Sequence, residues 1–316
     1  MIWLWLVSSP VVHASVQYDF VVAKDKSGDF TTIQEAINAV PDIRKAVTTI
    51  FIKSGVYKEK LILPASKTNV MMIGEDASKT VITYDDYAKK LNRFGEEMGT
   101  SGSSSFYVFG DGFTAKNLTF ENSSGPVGQA VAVRIDGDKV LFENCRFLGF
   151  QDTLYPHGKN SRQYYRNCYI EGTTDFIFGW STAVFEQCEI FSKKGGYYVT
   201  AASTIEGAQN GFVFIDCRFT GDAPEKSVYL GRPWRSFSQT VLIDCTLDQH
   251  IKEEGWHNWN KPNAEQTAFY AEHNSKGTGA APSSRVAWSH QLSDAETEKY
   301  TLENILGDWE PNINSN

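Results

Sequence analysis

Two aspartates stand in matching surroundings. Asp152 lies in Gln151-Asp152-Thr153-Leu154-Tyr155, and Asp175 lies in Thr174-Asp175-Phe176-Ile177-Phe178-Gly179. Two carboxyls brought side by side disfavour each other's ionised forms, so one pKa rises while the other stays low. Such a pair supplies a protonated acid and an ionised base or nucleophile in one place. Gln129 and Gln151 offer amide donors for a developing oxyanion, where one donor is worth a rate factor of about 10²–10³. Arg232, in Leu230-Gly231-Arg232-Pro233-Trp234, brings a rigid guanidinium fork suited to a carboxylate, either Asp175 or a uronate on a substrate. Tyr155, Phe176, Phe178, Trp234 and Trp256 offer flat faces for stacking on sugar rings, although each tryptophan would serve equally in a core. The same residues also fit a plainer arrangement: a ladder of turn-capping aspartates and a surface arginine stacked on Trp234.

What decides between these readings is whether the chain brings the residues together, and the cysteines bear on that. Leu141–Phe147 reads LFENCRF, Tyr164–Ile170 YYRNCYI, Val184–Ile190 VFEQCEI, Val213–Phe219 VFIDCRF and Val241–Leu247 VLIDCTL. Successive cysteines are 23, 20, 29 and 28 residues apart, and TAKNLTF at Thr114–Phe120 is an earlier copy with Leu118 at the cysteine place. A short strand phrase recurring at this spacing marks a solenoid. Each phrase reads as one strand of five to seven residues. No 3.6-residue periodicity appears between residues 105 and 250, so the expected fold is all-β, a parallel β-helix. The cysteines would stack inside as a ladder of small hydrophobes, structural rather than catalytic.

This repeat carries the chemistry. Asp152 follows Cys145 by seven residues and Asp175 follows Cys168 by seven, so the two occupy equivalent places on adjacent coils. Their backbones would lie about 4.8 Å apart, the ordinary strand separation. Gln129 precedes Gln151 by 22 residues, close to one coil period. Asp29-Phe30-Thr31-Thr32-Ile33-Gln34-Glu35 leads into a helix over about 31–40, stopped by Pro41 and covering the first coil. Ser293-Asp294-Ala295-Glu296 repeats that capping pattern ahead of a second helix over 294–306, ending at Gly307 and expected to close the other end of the solenoid. Polar stretches at 95–104 and 274–284 read as long loops.

Composition narrows the function classes. The 316 residues are 41% hydrophobic and 22% charged, with 30 Lys+Arg against 38 Asp+Glu and a net charge of -8. That disfavours nucleic acid as a partner without excluding an acidic polymer. No run of 18 apolar residues occurs, so no membrane span is expected. The segment before Ser15, with Val12 and Ala14 at the -3 and -1 places, reads as a short secretion leader. Export to an extracellular or periplasmic space follows, with residues 15–316 as one domain and a monomer as the default state. There is no Gly-x-Ser-x-Gly elbow, no HExxH or other histidine ligand spacing, no CxxC and no phosphate-binding glycine motif, so neither metal nor cofactor is expected. Asn117-Leu118-Thr119 and Asn122-Ser123-Ser124 are formal glycosylation sequons, the first within a strand phrase.

Gly128-Gln129-Ala130-Val131-Ala132, Gln151-Asp152-Thr153-Leu154-Tyr155, Asp175-Phe176-Ile177-Phe178-Gly179 and Leu230-Gly231-Arg232-Pro233-Trp234 together resemble, in order and spacing, the hallmark segments of the pectin methylesterases (pectinesterases). The likeness runs from about Phe20 to Leu306, and the short N-terminus is similar to that of the bacterial-type members without a pro-region. The resemblance implies a right-handed parallel β-helix that removes methyl esters from polygalacturonate. It implies Asp175 as nucleophile, Asp152 as general acid and then base, and Gln129 and Gln151 as stabilisers of the tetrahedral anion. Arg232 would orient Asp175, and Trp234 and Trp256 would line the groove.

Two other readings share the fold. A polygalacturonase also wants paired carboxylates, but an inverting glycosidase spaces them about 6.5–9.5 Å apart, wider than adjacent coils give. A lyase wants an acidic calcium cluster that the sequence does not offer. A non-catalytic carbohydrate-binding β-helix accounts for the ladder and the aromatics but not for the convergence of Gln129, Gln151, Asp152, Asp175 and Arg232.

Overall fold

The cysteine phrases fold as strand, corner, strand. In the computed structural model, which describes residues 17–313, Val140–Glu143 and Arg146–Leu148 are separate strands, and Asn144 between them takes a left-handed backbone conformation (φ 53°). Asn117, Asn167, Gln187, Asp216, Asp244 and Asn274 do the same on their coils, with φ between 50° and 54°. The expectation of one strand per phrase is thus corrected. Asn and Asp tolerate this conformation better than other side chains, and a bend at that point splits the run in two. A complete coil then contributes one strand to each of three parallel sheets, and the incomplete coils at the ends leave these at 11, 8 and 7 strands among the described residues. The pairings all run to the coil before and the coil after, which is a parallel β-helix, right-handed as parallel crossovers are.

The interior is filled by rows of like residues. Phe142, Tyr165, Phe185 and Phe214, each three places before its cysteine, stack in sequence with centroids 5.2, 4.6 and 4.6 Å apart. All five cysteines are free and buried, at the inner side of the corner. Each thiol points back at a carbonyl of the preceding coil, Cys217 Sγ to Phe185 O at 3.2 Å and Cys188 Sγ to Tyr165 O at 3.4 Å. A small apolar side chain with a weak donor suits that place.

The ends differ in how far they follow expectation. The first helix spans Ile33–Ala39, with Thr32 as N-cap and Ile33, Ala36 and Ile37 buried. The second is corrected. It breaks into Asp294–Thr297, a 3-10 turn at Glu298–Tyr300, and Leu302–Leu306, because Thr301 adopts an extended conformation and starts a new cap by accepting from Asn304 N. It also lies along the outer face of the eleven-stranded sheet instead of closing the stack. Tyr300, Ile305 and Leu306 pack there on Leu141, Tyr164, Val184, Val213 and Val241. The stretches at 95–104 and 274–284 are loops carrying one short helix each, Gly99–Gly102 and Pro282–Ser284. The leader expected before Ser15 lies outside the described residues.

Candidate active site

Asp152 and Asp175 enter successive strands of the seven-stranded sheet, Leu154–Pro156 and Thr174–Gly179. Leu154 pairs with Ile177, which puts the two aspartates in the same register, each two residues before its paired position. Both hold left-handed backbone angles, φ 66° and 51°. Aspartate tolerates this conformation, as Asn and Asp do at the other corners. Asp152 N donates to Thr174 O at 3.1 Å, tying the two corners together. Gln129, one coil earlier, forms a parallel bridge with Gln151, and its amide reaches the Asp152 carboxyl.

Arg232 completes the group. Its Nε donates to Asp175 Oδ1 at 2.9 Å and its Nη2 to Oδ2 at 2.7 Å, a two-point grip. Gly231 makes that approach feasible by bulk rather than by backbone freedom: a Cβ there would stand 2.1 Å from Thr200 Oγ1. Tyr198 and Trp259 flank the guanidinium, their ring centres 3.9 and 3.6 Å from its carbon. The cavity these residues enclose has a volume of about 400 Å³, with Tyr155, Phe178 and Trp234 on its walls and the Met98–Ser101 loop at its edge.

Burial separates the two carboxyls in charge. Asp152 is 3% exposed and Asp175 5%. Desolvation pushes Asp152 well above the ordinary carboxylate range, and the neighbouring Asp175 charge pushes it further, against a smaller opposing effect of the Gln129 hydrogen bond. Asp175 is also raised by burial, but Arg232 pulls it back through both hydrogen bonds and charge. Asp175 therefore ionises first, and Asp152 keeps its proton to higher pH. The arrangement can hold an ionised carboxylate and a carboxylic acid against the same small group, with amide donors beside them.

Two sequence-based expectations fail here. Phe176 is 0% exposed and Trp256 1%, both within the core, so neither is a groove wall. The strand is irregular between Thr174 and Ile177, so Phe176 and Ile177 both turn inward and Phe178 faces the cavity. Trp256 packs against Tyr270 with ring centroids 4.5 Å apart, and its place in the groove is taken by Trp259, three residues on. Trp259 was missed; a second tryptophan in the same Gly255-Trp256-His257-Asn258-Trp259 phrase was the available signal. Nothing in composition or repeat marked Met98–Ser101. His157 stays outside the group, its Nδ1 2.5 Å from Asp136 in an Arg134–Asp136 network behind Tyr155. The Asn122 sequon is closed: the residue is 3% exposed and its amide donates to Asp86 O, Ser103 O and Val131 O.

The fold and the site together define a parallel β-helix protein with a paired-aspartate centre. The family model described as Pectinesterase matches residues 19–308, and the chain belongs to that family. It is 41% identical to Pectinesterase 4 of Arabidopsis thaliana over 308 residues, covering 93% of this chain and 51% of that one. This chain thus spans about half the length of that relative. Among solved structures it is similar to the pectin methylesterase from carrot, with a TM-score of 0.84 and 35% identity over 93% of this chain and 94% of that one. A pectin methylesterase in complex with a hexasaccharide gives a TM-score of 0.83 at 32% identity, over 95% of this chain and 100% of that one.

Proposed function

We propose that this chain hydrolyses the methyl esters of polygalacturonate, releasing methanol and leaving free uronates, and that it does so outside the cell as a monomer. The observation that carries the reading is the Arg232–Asp175 grip beside the buried carboxyl of Asp152 in one cavity. Family membership and the hexasaccharide bound by a similar esterase support the substrate class.

In this reading, Asp175 attacks the ester carbonyl through one oxygen while Arg232 holds the carboxylate plane. Negative charge moves to the carbonyl oxygen, where the Gln129 and Gln151 amides receive it. Collapse of the tetrahedral anion breaks the bond to the methoxy oxygen, and Asp152 gives that oxygen its proton, so methanol leaves. The substrate acyl group now sits on Asp175 as an anhydride. Asp152, ionised by the first step, takes a proton from water as the water attacks that acyl carbon. Asp175 departs as carboxylate and Asp152 is again protonated, so the cycle closes. Trp234 and Trp259 supply the sugar-stacking faces, above a floor of Tyr155 and Phe178, which stack on each other.

The test is methanol release from methylated pectin together with sizing of the polymer. Methanol without chain shortening is expected. Shortening with new reducing ends or unsaturated products would transfer the site to the glycosidase or lyase reading. Asp175→Asn is expected to abolish turnover while leaving the far-ultraviolet circular dichroism unchanged; full turnover in that variant would remove the nucleophile assignment.

A further inference from the structure

Arg232 is held by more than its carboxylate partner, and what holds it leads to a residue with no role so far. Tyr198 and Trp259 flank the guanidinium, at 3.9 and 3.6 Å. The Tyr198 hydroxyl and the Trp259 backbone are tied to the same imidazole. The Trp259 backbone N–H donates to His257 Nδ1 at 3.2 Å, and the Tyr198 hydroxyl lies 3.3 Å from that same nitrogen. A backbone N–H can only donate, so Nδ1 is an acceptor and the ring proton sits on Nε2. The Tyr198 hydroxyl then donates as well.

The imidazole is itself fixed. His257 N donates to Gly231 O at 3.1 Å, next to Arg232 in the chain. Its ring packs near Tyr198 and Tyr229, centroids 5.6 and 5.2 Å away, and those tyrosines stack on one another across paired strands. Upstream, Gly255 (φ 69°) has no room for a side chain, since a Cβ would stand 2.5 Å from Arg285 Cδ. Arg285 is paired with buried Glu272 at 2.7 Å. The loop bearing His257 and Trp259 is thereby anchored to the end of the solenoid.

We propose that His257 is a positioning residue, its unprotonated Nδ1 fixing the two rings that hold Arg232 against Asp175; this rests on the esterase reading above. A proton on Nδ1 would face the Trp259 N–H and displace it, loosening one wall of the clamp. The charged and titratable groups facing His257 are Arg232, Tyr198 and Tyr229, with Lys252 and Glu254 acting on Tyr229. Burial first, and then the Arg232 charge, lower the His257 pKa, so the clamp is closed at neutral pH and opens in acid.

The experiment compares native protein, His257→Leu and His257→Asn. Methanol release is followed across the acid-to-neutral range with kcat and KM separated, and Arg232 Nε–H exchange is read by NMR without substrate. The leucine variant, which has no acceptor, is expected to lower kcat on the order of 10-fold at neutral pH with KM within about twofold, and to speed Nε–H exchange. Asparagine puts a non-titrating Oδ1 where Nδ1 stood, so it should restore slow exchange and most of kcat and move the acid limb to lower pH. Unchanged Nε–H exchange in His257→Leu overturns the inference, as does an acid limb in His257→Asn identical to the native one. A native protein that releases no methanol would sink the esterase reading instead, and the exchange measurement alone would then decide the clamp.

Discussion

At the scale of single residues, the decisive property is how differently two chemically identical side chains are treated. Arg232 meets both oxygens of Asp175, while Asp152 has a neighbouring negative charge and one amide. Lysine at 232 would keep the charge and lose the fork. Arg232→Lys is therefore expected to lower kcat on the order of 100-fold with a smaller change in KM, measured by steady-state methanol release. Asp152 also leaves a mark on stability. Its folded pKa lies above its unfolded one, so its contribution is fully present below the ordinary carboxylate pKa and is lost as pH rises through the folded value. Asp152→Asn should consequently melt above the native protein at neutral pH, with the advantage vanishing below about pH 4. Melting midpoints measured against pH check this, and a neutral-pH loss of stability would contradict it. The aspartate pair was legible in the sequence because a count of seven from each cysteine survives the real register. Phe176 and Trp256 were not, because a strand irregularity and a buried tryptophan leave no trace in alternation.

At the scale of elements, the repeat phrase is a corner rather than a strand. The left-handed residue before each cysteine sets where the chain turns from the eleven-stranded sheet into the eight-stranded one. It thereby sets how many residues remain before the next corner, where the aspartates sit. Asn167, exposed and at φ 51°, isolates the effect of backbone from that of packing. Asn167→Val should cost about 1–2 kcal/mol in urea unfolding, and Asn167→Gly much less, because only the β-branched residue resists the left-handed conformation. Equal costs would mean that the side chain, and not the angle, is what the corner needs. The phrase announced its period plainly, but one strand or two cannot be told from hydrophobicity when the corner residue is polar and its neighbours are not.

At the scale of the whole molecule, the site needs a stack whose outer surfaces are also closed. The eleven-stranded sheet presents Leu141, Tyr164, Val184, Val213 and Val241 outward, and the segment through Leu306 covers them. Arg162 fastens the cover by donating to Leu306 O at 2.8 Å, with a further ion pair to Asp308. The amphipathic pattern of that segment showed that it buries one face. It could not show which surface receives the face, since a coil end and a sheet face are both apolar. This assignment has a measurable consequence. Leu306 is 0% exposed, so Leu306→Ala should destabilise by about 2–5 kcal/mol. The cover packs against the eleven-stranded sheet, whereas Asp175 lies in the seven-stranded one and Asp152 leads into it. The folded fraction of Leu306→Ala should therefore keep native kcat and KM at temperatures well below its midpoint. A variant that stayed folded but lost turnover would mean that the cover and the site are mechanically coupled through the stack, and that the coils do not act as independent layers.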